Sequence, residues 1–210
     1  MKSKLARLTL PLVPFFLSVA PLILSGCAES PRIDVLPDNA VIVAFGDSLT
    51  AGTGAHRSRS YPALLADITG YEVINAGVPG EVSASGLARL PGLLRRHRPH
   101  LVILCHGGND ILKKFDEALL AQNLNAMIET IRAEGADVIL VGVPKPGLLL
   151  DTASVYEETA ERQGIPCESR IVAHILSTPS LKSDTIHPNA EGYGRMARAL
   201  ASLIIECQAR

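Results

Sequence analysis

Apolar residues recur along this chain with two spacings. Short continuous runs appear as "VIVAF" (41–45), "YEVINA" (71–76), "HLVILC" (100–105) and "DVILVGV" (137–143). They are rich in Val and Ile and mostly apolar throughout. That is the pattern of parallel strands covered on both faces. Between them the apolar positions follow helical spacing. Ser60 is placed to cap "YPALLADIT", with Pro62 in its first turn and Gly70 past its end. "SGLARLPGLLRRHRP" reads as a helix that Pro91 divides or restarts. Asp116 is placed to cap "EALLAQNLNAMIETIRAE", which Gly135 ends. "TASVYEETAERQ" runs to Gly164, and "AEGYGRMARALASLIIECQ" closes the chain with an aliphatic stripe. Alternating strand and helix predict an α/β fold, a three-layer α/β/α sandwich with right-handed crossovers.

In such a sheet, function gathers beyond the carboxyl ends of the strands. The polar residues there are Asp47 and Ser48 after the first run, Gly80 shortly after the second, and Gly107 to Asp110 after the third. No internal repeat and no second domain is visible.

The front of the chain has another character. Lys2, Lys4 and Arg7 precede an almost wholly apolar stretch, Leu8 to Leu24, and "LSGC" (24–27) follows. This layout is that of a secretory signal. "LSGC" looks like a bacterial lipobox, which implies cleavage before Cys27 and diacylglyceryl attachment to its sulfur. The alternative is an uncleaved anchor, although Pro11, Pro14 and Pro21 interrupt the stretch and its length is marginal for a bilayer. The expected organisation is a signal peptide over 1–26, a Pro-containing tether over 27–39 and one domain over 40–210. Ala28 after the cysteine resembles a sorting signal for the outer membrane, facing the periplasm; plain secretion is the alternative.

Loss of residues 1–26 removes three cations and no acid, so the formal net charge moves from −1 to −4. No basic stripe remains, and nucleic acid is not an expected partner. Cys105, Cys167 and Cys207 match no zinc spacing. Cys105 reads as a buried thiol, and whether Cys167 and Cys207 pair is left open.

The loop "GDSLTAGTG" (46–54) is not a phosphate cradle. Gly52 and Gly54 come too late for a dinucleotide turn, and GxxxxGK[ST] is absent. "FGDS" and "GGND" echo metal loops, but the further His and Asp ligands are missing, so no metal and no cofactor is expected. A hydroxyl nucleophile needs a base, and the base needs an orienting acid. Of the six histidines, His187 stands in "SDTIHPN" (183–189), three residues after Asp184 and directly before Pro188. That spacing lets the carboxylate reach one ring nitrogen and leaves the other to take a proton from Ser48, as in a Ser-His-Asp triad. His106, at the end of the third strand, is the alternative base. Oxyanion donors are at hand in the N–H of Ser48, the N–H of Gly80 and the side chain of Asn109.

At these residues the sequence resembles the SGNH (GDSL) hydrolase family. "GDSLT" with Ser48, "NAGVPGE" with Gly80, "GGND" with Asn109 and "DTIH" with Asp184 and His187 occur in that order. "GLARLPGLLRRHRPHLVILCHGGND" looks like its thioesterase I/lysophospholipase L1 and arylesterase branch. The resemblance implies a flavodoxin-like parallel sheet, no metal, and hydrolysis of acyl esters or thioesters through an acyl-enzyme on Ser48. Asp47 is then structural. The segment "PKPGLLLDTASVY" (144–156) departs from the branch's usual loop. Its apolar run, Leu148, Leu149 and Leu150, is a candidate acyl contact or simply loop packing. Two rival readings remain: an O-acetyl esterase acting on an envelope glycan, and a non-catalytic acyl-binding lipoprotein.

Overall fold

The structure, a computed structural model, describes residues 30–147 and 150–208. Its sheet has strands β1 (Val41–Gly46), β2 (Glu72–Gly77), β3 (Leu101–Cys105), β4 (Asp137–Val141) and β5 (Cys167–Glu168). They lie in the order β2-β1-β3-β4-β5, and every pairing is parallel. The first four match the apolar runs. β5 has two residues on the sheet edge and no apolar run to announce it.

The helices are α1 (Ser48–Ala51), α2 (Tyr61–Thr69), α3 (Ser83–His97), α4 (Gly108–Leu112), α5 (Glu117–Ala133), α6 (Ser154–Gln163), α7 (Ile171–Ser177) and α8 (Ala190–Cys207). α3, α5 and α6 pack together as one layer, and α2, α7 and α8 as the other. β1, β3 and β4 run between them and are buried almost throughout, from Ile42, Val43 and Phe45 to Ile139 and Leu140. This is the expected three-layer α/β/α sandwich.

Several local expectations are modified. α3 continues through Pro91 instead of dividing there, because Leu90 and Leu94 on either side are buried against the sheet. Ser60 occupies the cap position of α2, but its hydroxyl donates to the Arg57 carbonyl rather than accepting from the helix. Asp116 does cap α5, accepting from Ala118 N–H at 2.9 Å. Part of the stretch expected to be a tether, 27–39, is docked on the domain. Ile33 and Leu36 are buried, and Ile33 bridges in parallel to Gln208, just past α8. Their apolar contacts outweigh the irregular backbone that two prolines impose. Cys105 is buried as expected, and Cys167 and Cys207 are both free thiols. Cys27 and the leader lie outside the described residues.

β1 sits between β2 and β3, where the chain's winding reverses. Crevices at the carboxyl ends of such strands hold ligands. Ser48 follows β1, and Asn109 follows β3.

Candidate active site

β1 ends at Gly46, where a side chain would collide with the Cys105 carbonyl and the Thr50 hydroxyl. The next residue, Asp47, caps α1: its Oδ1 accepts from Leu49 N–H at 3.1 Å. Ser48 thus opens a one-turn helix at the sheet's carboxyl edge. Asp47 is buried, and burial pushes its carboxyl above the usual range, against the opposing pull of His106 and the Leu49 N–H.

The loop before α8 brings up His187. Lys182 and Pro188 form an antiparallel bridge, and Ser183 N–H donates to the His187 carbonyl at 2.9 Å. Inside this loop Asp184 Oδ1 accepts from the N–H groups of Ile186 and His187, each at 2.8 Å. Its Oδ2 lies 2.8 Å from His187 Nδ1. An ionised carboxylate can only accept, so Nδ1 carries the proton. His187 Nε2 is then an acceptor, and it stands 3.1 Å from Ser48 Oγ. Partial burial acts to raise the Asp184 carboxyl, but the bonds from His187 and the two N–H groups outweigh it and set it below its usual range.

Gly54 explains how the two loops come so close. It has φ +96°, and any Cβ there would strike Ser183 and Pro188 of the base loop. Gly54 therefore makes room for the His187 loop, while a side chain at Gly52, the other glycine after Ser48, would strike Ser60. The signal was in the sequence, but only the folded chain shows what the room is for.

The third component is a turn. Val78 N–H donates to the Gly46 carbonyl at 3.0 Å, and Glu81 N–H returns to the Val78 carbonyl at 3.2 Å. Pro79 and Gly80, with φ +78° at the glycine, are the central residues of what reads as a type II turn. Neither Gly80 N–H nor Ser48 N–H donates to a protein group among the described residues. The Asn109 amide is held by the same turn: Nδ2 donates to the Glu81 carbonyl at 3.0 Å and to Asp47 Oδ2 at 3.3 Å.

Behind this turn lies a polar web that has no local sequence signature. Arg89, on α3, meets the Glu81 carboxylate with Nε and Nη2 at 2.7–2.9 Å. It also donates to the carbonyls of Gly46 and Ala76 and lies 4.1 Å over the Phe45 ring. Burial alone would raise the Glu81 carboxyl; the bonds from Arg89 and His106 overcome it and hold it below the usual range. His106, the alternative base, is fully buried in this web. Its Nδ1 accepts from Gly107 N–H at 2.9 Å, so Nε2 carries the proton and donates to Glu81 Oε2 at 3.1 Å. Both ring nitrogens are occupied, and His106 is not the partner of Ser48. Asp110 is buried beside it, accepting from the N–H and hydroxyl of Ser83, and Ser83 Oγ accepts from Asn123.

Ser48 opens onto a cavity of about 260 Å³. Leu49, Leu112, Val143, Leu150, Leu176 and Ile186 give it a mainly apolar lining, joined by Asn109, Pro144 and Pro146. Of the three candidate leucines, Leu150 lines this cavity; Leu148 and Leu149 lie outside the described residues. Leu112, Val143, Leu176 and Ile186 are lining residues with no sequence pattern to mark them.

Comparison with known proteins places the chain in a family. Residues 44–195 match the GDSL-like lipase/acylhydrolase family. The chain is 40% identical over 130 residues to esterase TesA of Pseudomonas aeruginosa, a match covering 60% of this chain and 65% of that protein, just under two thirds. It is 32% identical over 158 residues to thioesterase 1/protease 1/lysophospholipase L1 of Escherichia coli K12, covering 71% of this chain and 76% of that one. A crystal structure of TesA superposes with a TM-score of 0.73 at 31% identity, covering 80% of this chain and 99% of the other. The family match begins inside β1 and ends in α8, so it takes in Ser48, Gly80, Asn109, Asp184 and His187 together, and the chain belongs to the GDSL-like lipase/acylhydrolase family.

Proposed function

We propose that the protein is a serine carboxylic ester hydrolase of the bacterial cell envelope, with thioesters within its range. The observation that carries this reading is the continuous relay of Asp184, His187 and Ser48, with steps of 2.8 and 3.1 Å, opening onto an apolar cavity. Ser48 Oγ attacks the acyl carbonyl as His187 Nε2 takes its proton. Asp184 holds the imidazole by Nδ1 and stabilises the imidazolium that forms. The N–H groups of Ser48 and Gly80 and the amide of Asn109 receive the oxyanion, and the longer Asn109 bond, to Asp47, is the one that yields. His187 returns the proton to the leaving alcohol or thiol. Water, activated by the same histidine, then releases the acid from Ser48.

The names of the relatives, an esterase and a thioesterase/lysophospholipase, support this reaction class. The mainly aliphatic cavity favours acyl groups longer than acetyl over an acetylated glycan, whose recognition would need more polar groups. The leader ending in "LSGC" supports an envelope protein held by lipid on Cys27. Two acyl chains are enough for stable anchoring.

The test is labelling with a fluorophosphonate. Complete inactivation with the label mapped to Ser48, and no labelling of Ser48→Ala, is expected. Inactivation with Ser48 unmodified would overturn the nucleophile. Activity lost to EDTA and restored by zinc or manganese would replace the mechanism with a metal-dependent one.

A further inference from the structure

The bonds made by Ile33, Asp34 and Leu36 fix which way the proposed catalytic mouth faces. Ile33 N–H donates to the Cys207 carbonyl at 2.9 Å, and Leu36 N–H donates to Gln208 Oε1 at 2.9 Å. Asp34 N–H donates to Asp137 Oδ2 at 2.7 Å, and Asp137 is the first residue of β4. Ile33 and Leu36 are themselves buried. The chain therefore enters the domain at the amino edge of the parallel sheet. Ser48 and Asn109 lie at the carboxyl edge.

α8 measures the separation. Its cap, Asn189, is two residues from His187, and its last turn ends where Ile33 is bound. Eighteen helical residues span about 27 Å. Cys27 stands six residues before Ile33. A chain of six residues reaches at most about 20–22 Å, even fully extended. For the mouth to face the bilayer that holds Cys27, Ile33 would have to stand at least the length of α8 above it. The leash is too short.

We infer that the lipid-anchored enzyme holds its amino edge toward its own membrane and its mouth away from it, so that its substrates are acyl esters presented from the aqueous side and not lipids of the leaflet that carries it. This rests on the proposed lipidation of Cys27 and on the proposed ester hydrolysis at Ser48. Exposed Arg95, Arg96 and Arg98, at the turn from α3 into β3, lie on the same amino edge, where headgroup phosphates would be met.

The test uses the full lipidated chain in sparse vesicles and two matched probes. One is soluble umbelliferyl butyrate. The other is the same ester carried on the headgroup of a dialkyl lipid in the enzyme's own bilayer. A second protein has fifteen Gly/Ser residues inserted between Ala28 and Pro31. Both proteins are expected to hydrolyse the soluble probe at equal rates. The native leash is expected to be at least tenfold slower than the long leash on the bilayer probe, and released Cys27→Ser is expected to hydrolyse both probes. Equal rates for native and long leashes on the bilayer probe, at any level, would overturn the orientation. Mass spectrometry of the N-terminal peptide separates the premises. Absence of the diacylglyceryl group would overturn the inference through its anchor, and undiminished hydrolysis of the soluble probe by Ser48→Ala would overturn it through the site.

Discussion

In the proposed mechanism the loop that carries Asp184 and His187 and the turn that carries Gly80 both serve Ser48, but they are held by different means. The base loop is built from short-range bonds. Asp184 accepts from residues two and three positions on, Ser183 bonds to His187, and the Asp184 side chain is half exposed. The turn is built from long-range bonds. Glu81 is tied to Arg89 and His106, Asn109 to Glu81 and Asp47, and Asp110 to Ser83; Asp47, Ser83, His106 and Asp110 are buried, although Val78, Pro79 and Gly80 at the tip of the turn are exposed. The difference fits the roles proposed for them. A base moves a proton and needs contact with water during deacylation. Oxyanion donors stabilise charge best when they are fixed beforehand and shielded.

The largest expected effect erases this distinction. Ser48→Ala and His187→Ala should each lower kcat by on the order of 10⁴-fold or more, and the double variant should be no worse than either. Steady-state kinetics on a butyryl ester checks this. Additive losses would show that the two side chains do not act as one unit.

The next effect belongs to the turn. Asn109→Ala should lower kcat by about 10²–10³-fold with little change in KM, because the amide serves the oxyanion and not the bound ester. A rise in KM at constant kcat would move Asn109 from the oxyanion to ground-state binding.

How much of each region can be read from sequence follows the same division. Asp184 and His187 are close in the chain, and Pro188 fixes the backbone after them, so their partnership is legible at once. Ser48 is legible because it breaks a buried strand. The Glu81–Arg89–His106 web is not, because no local spacing rule joins a loop acid, a mid-helix arginine and a strand-end histidine. His106 looks like a base in sequence for the same reason that it serves the web: it directly follows β3. Gly54 is visible as a glycine, but its purpose depends on Ser183 and Pro188, far along the chain. β5 and the docking of Ile33 escape notice because each is too short to show a period.

A third effect separates stability from activity. Glu81→Gln removes a shielded charge from Arg89, and hydrogen bonds to charged groups contribute about 1.5–3 kcal/mol. In a domain of this size that corresponds to a fall in Tm of roughly 3–12 °C. Asp184→Asn should leave Tm almost unchanged, since its partners are local and its side chain is half exposed. The contrast depends on pH with a definite sign. The folded-state pKa of Glu81 is depressed, so its stabilisation is complete above the unfolded value, about 4.3. It is lost as pH falls through the folded value. Urea unfolding of wild type and Glu81→Gln should therefore differ at pH 7 and converge in acid. A gap that widened as pH fell would reverse the assigned direction.

The smallest effect tests whether the two regions stay separate where they share a surface. Ile186 on the base loop and Leu112, three residues after Asn109, both line the cavity, and they are 38% and 43% exposed. If the acyl chain lies against them, truncating either to Ala loses about 1 kcal/mol of contact, roughly fivefold in kcat/KM. Octanoyl esters should show this loss, while acetyl esters, which do not reach that far, should stay within about twofold. Neither change should lower Tm by more than a few degrees, because both side chains already stand partly in water. Ile186 is the sharper case. Its N–H helps to hold Asp184, but its side chain makes none of the hydrogen bonds that shape the base loop. If polar backbone bonds alone fix His187, acetyl turnover will survive Ile186→Ala as well as it survives Leu112→Ala. A fall in acetyl turnover in Ile186→Ala only would mean that the base loop also leans on apolar packing, and the contrast between a locally bonded base and a deeply held oxyanion turn would fail.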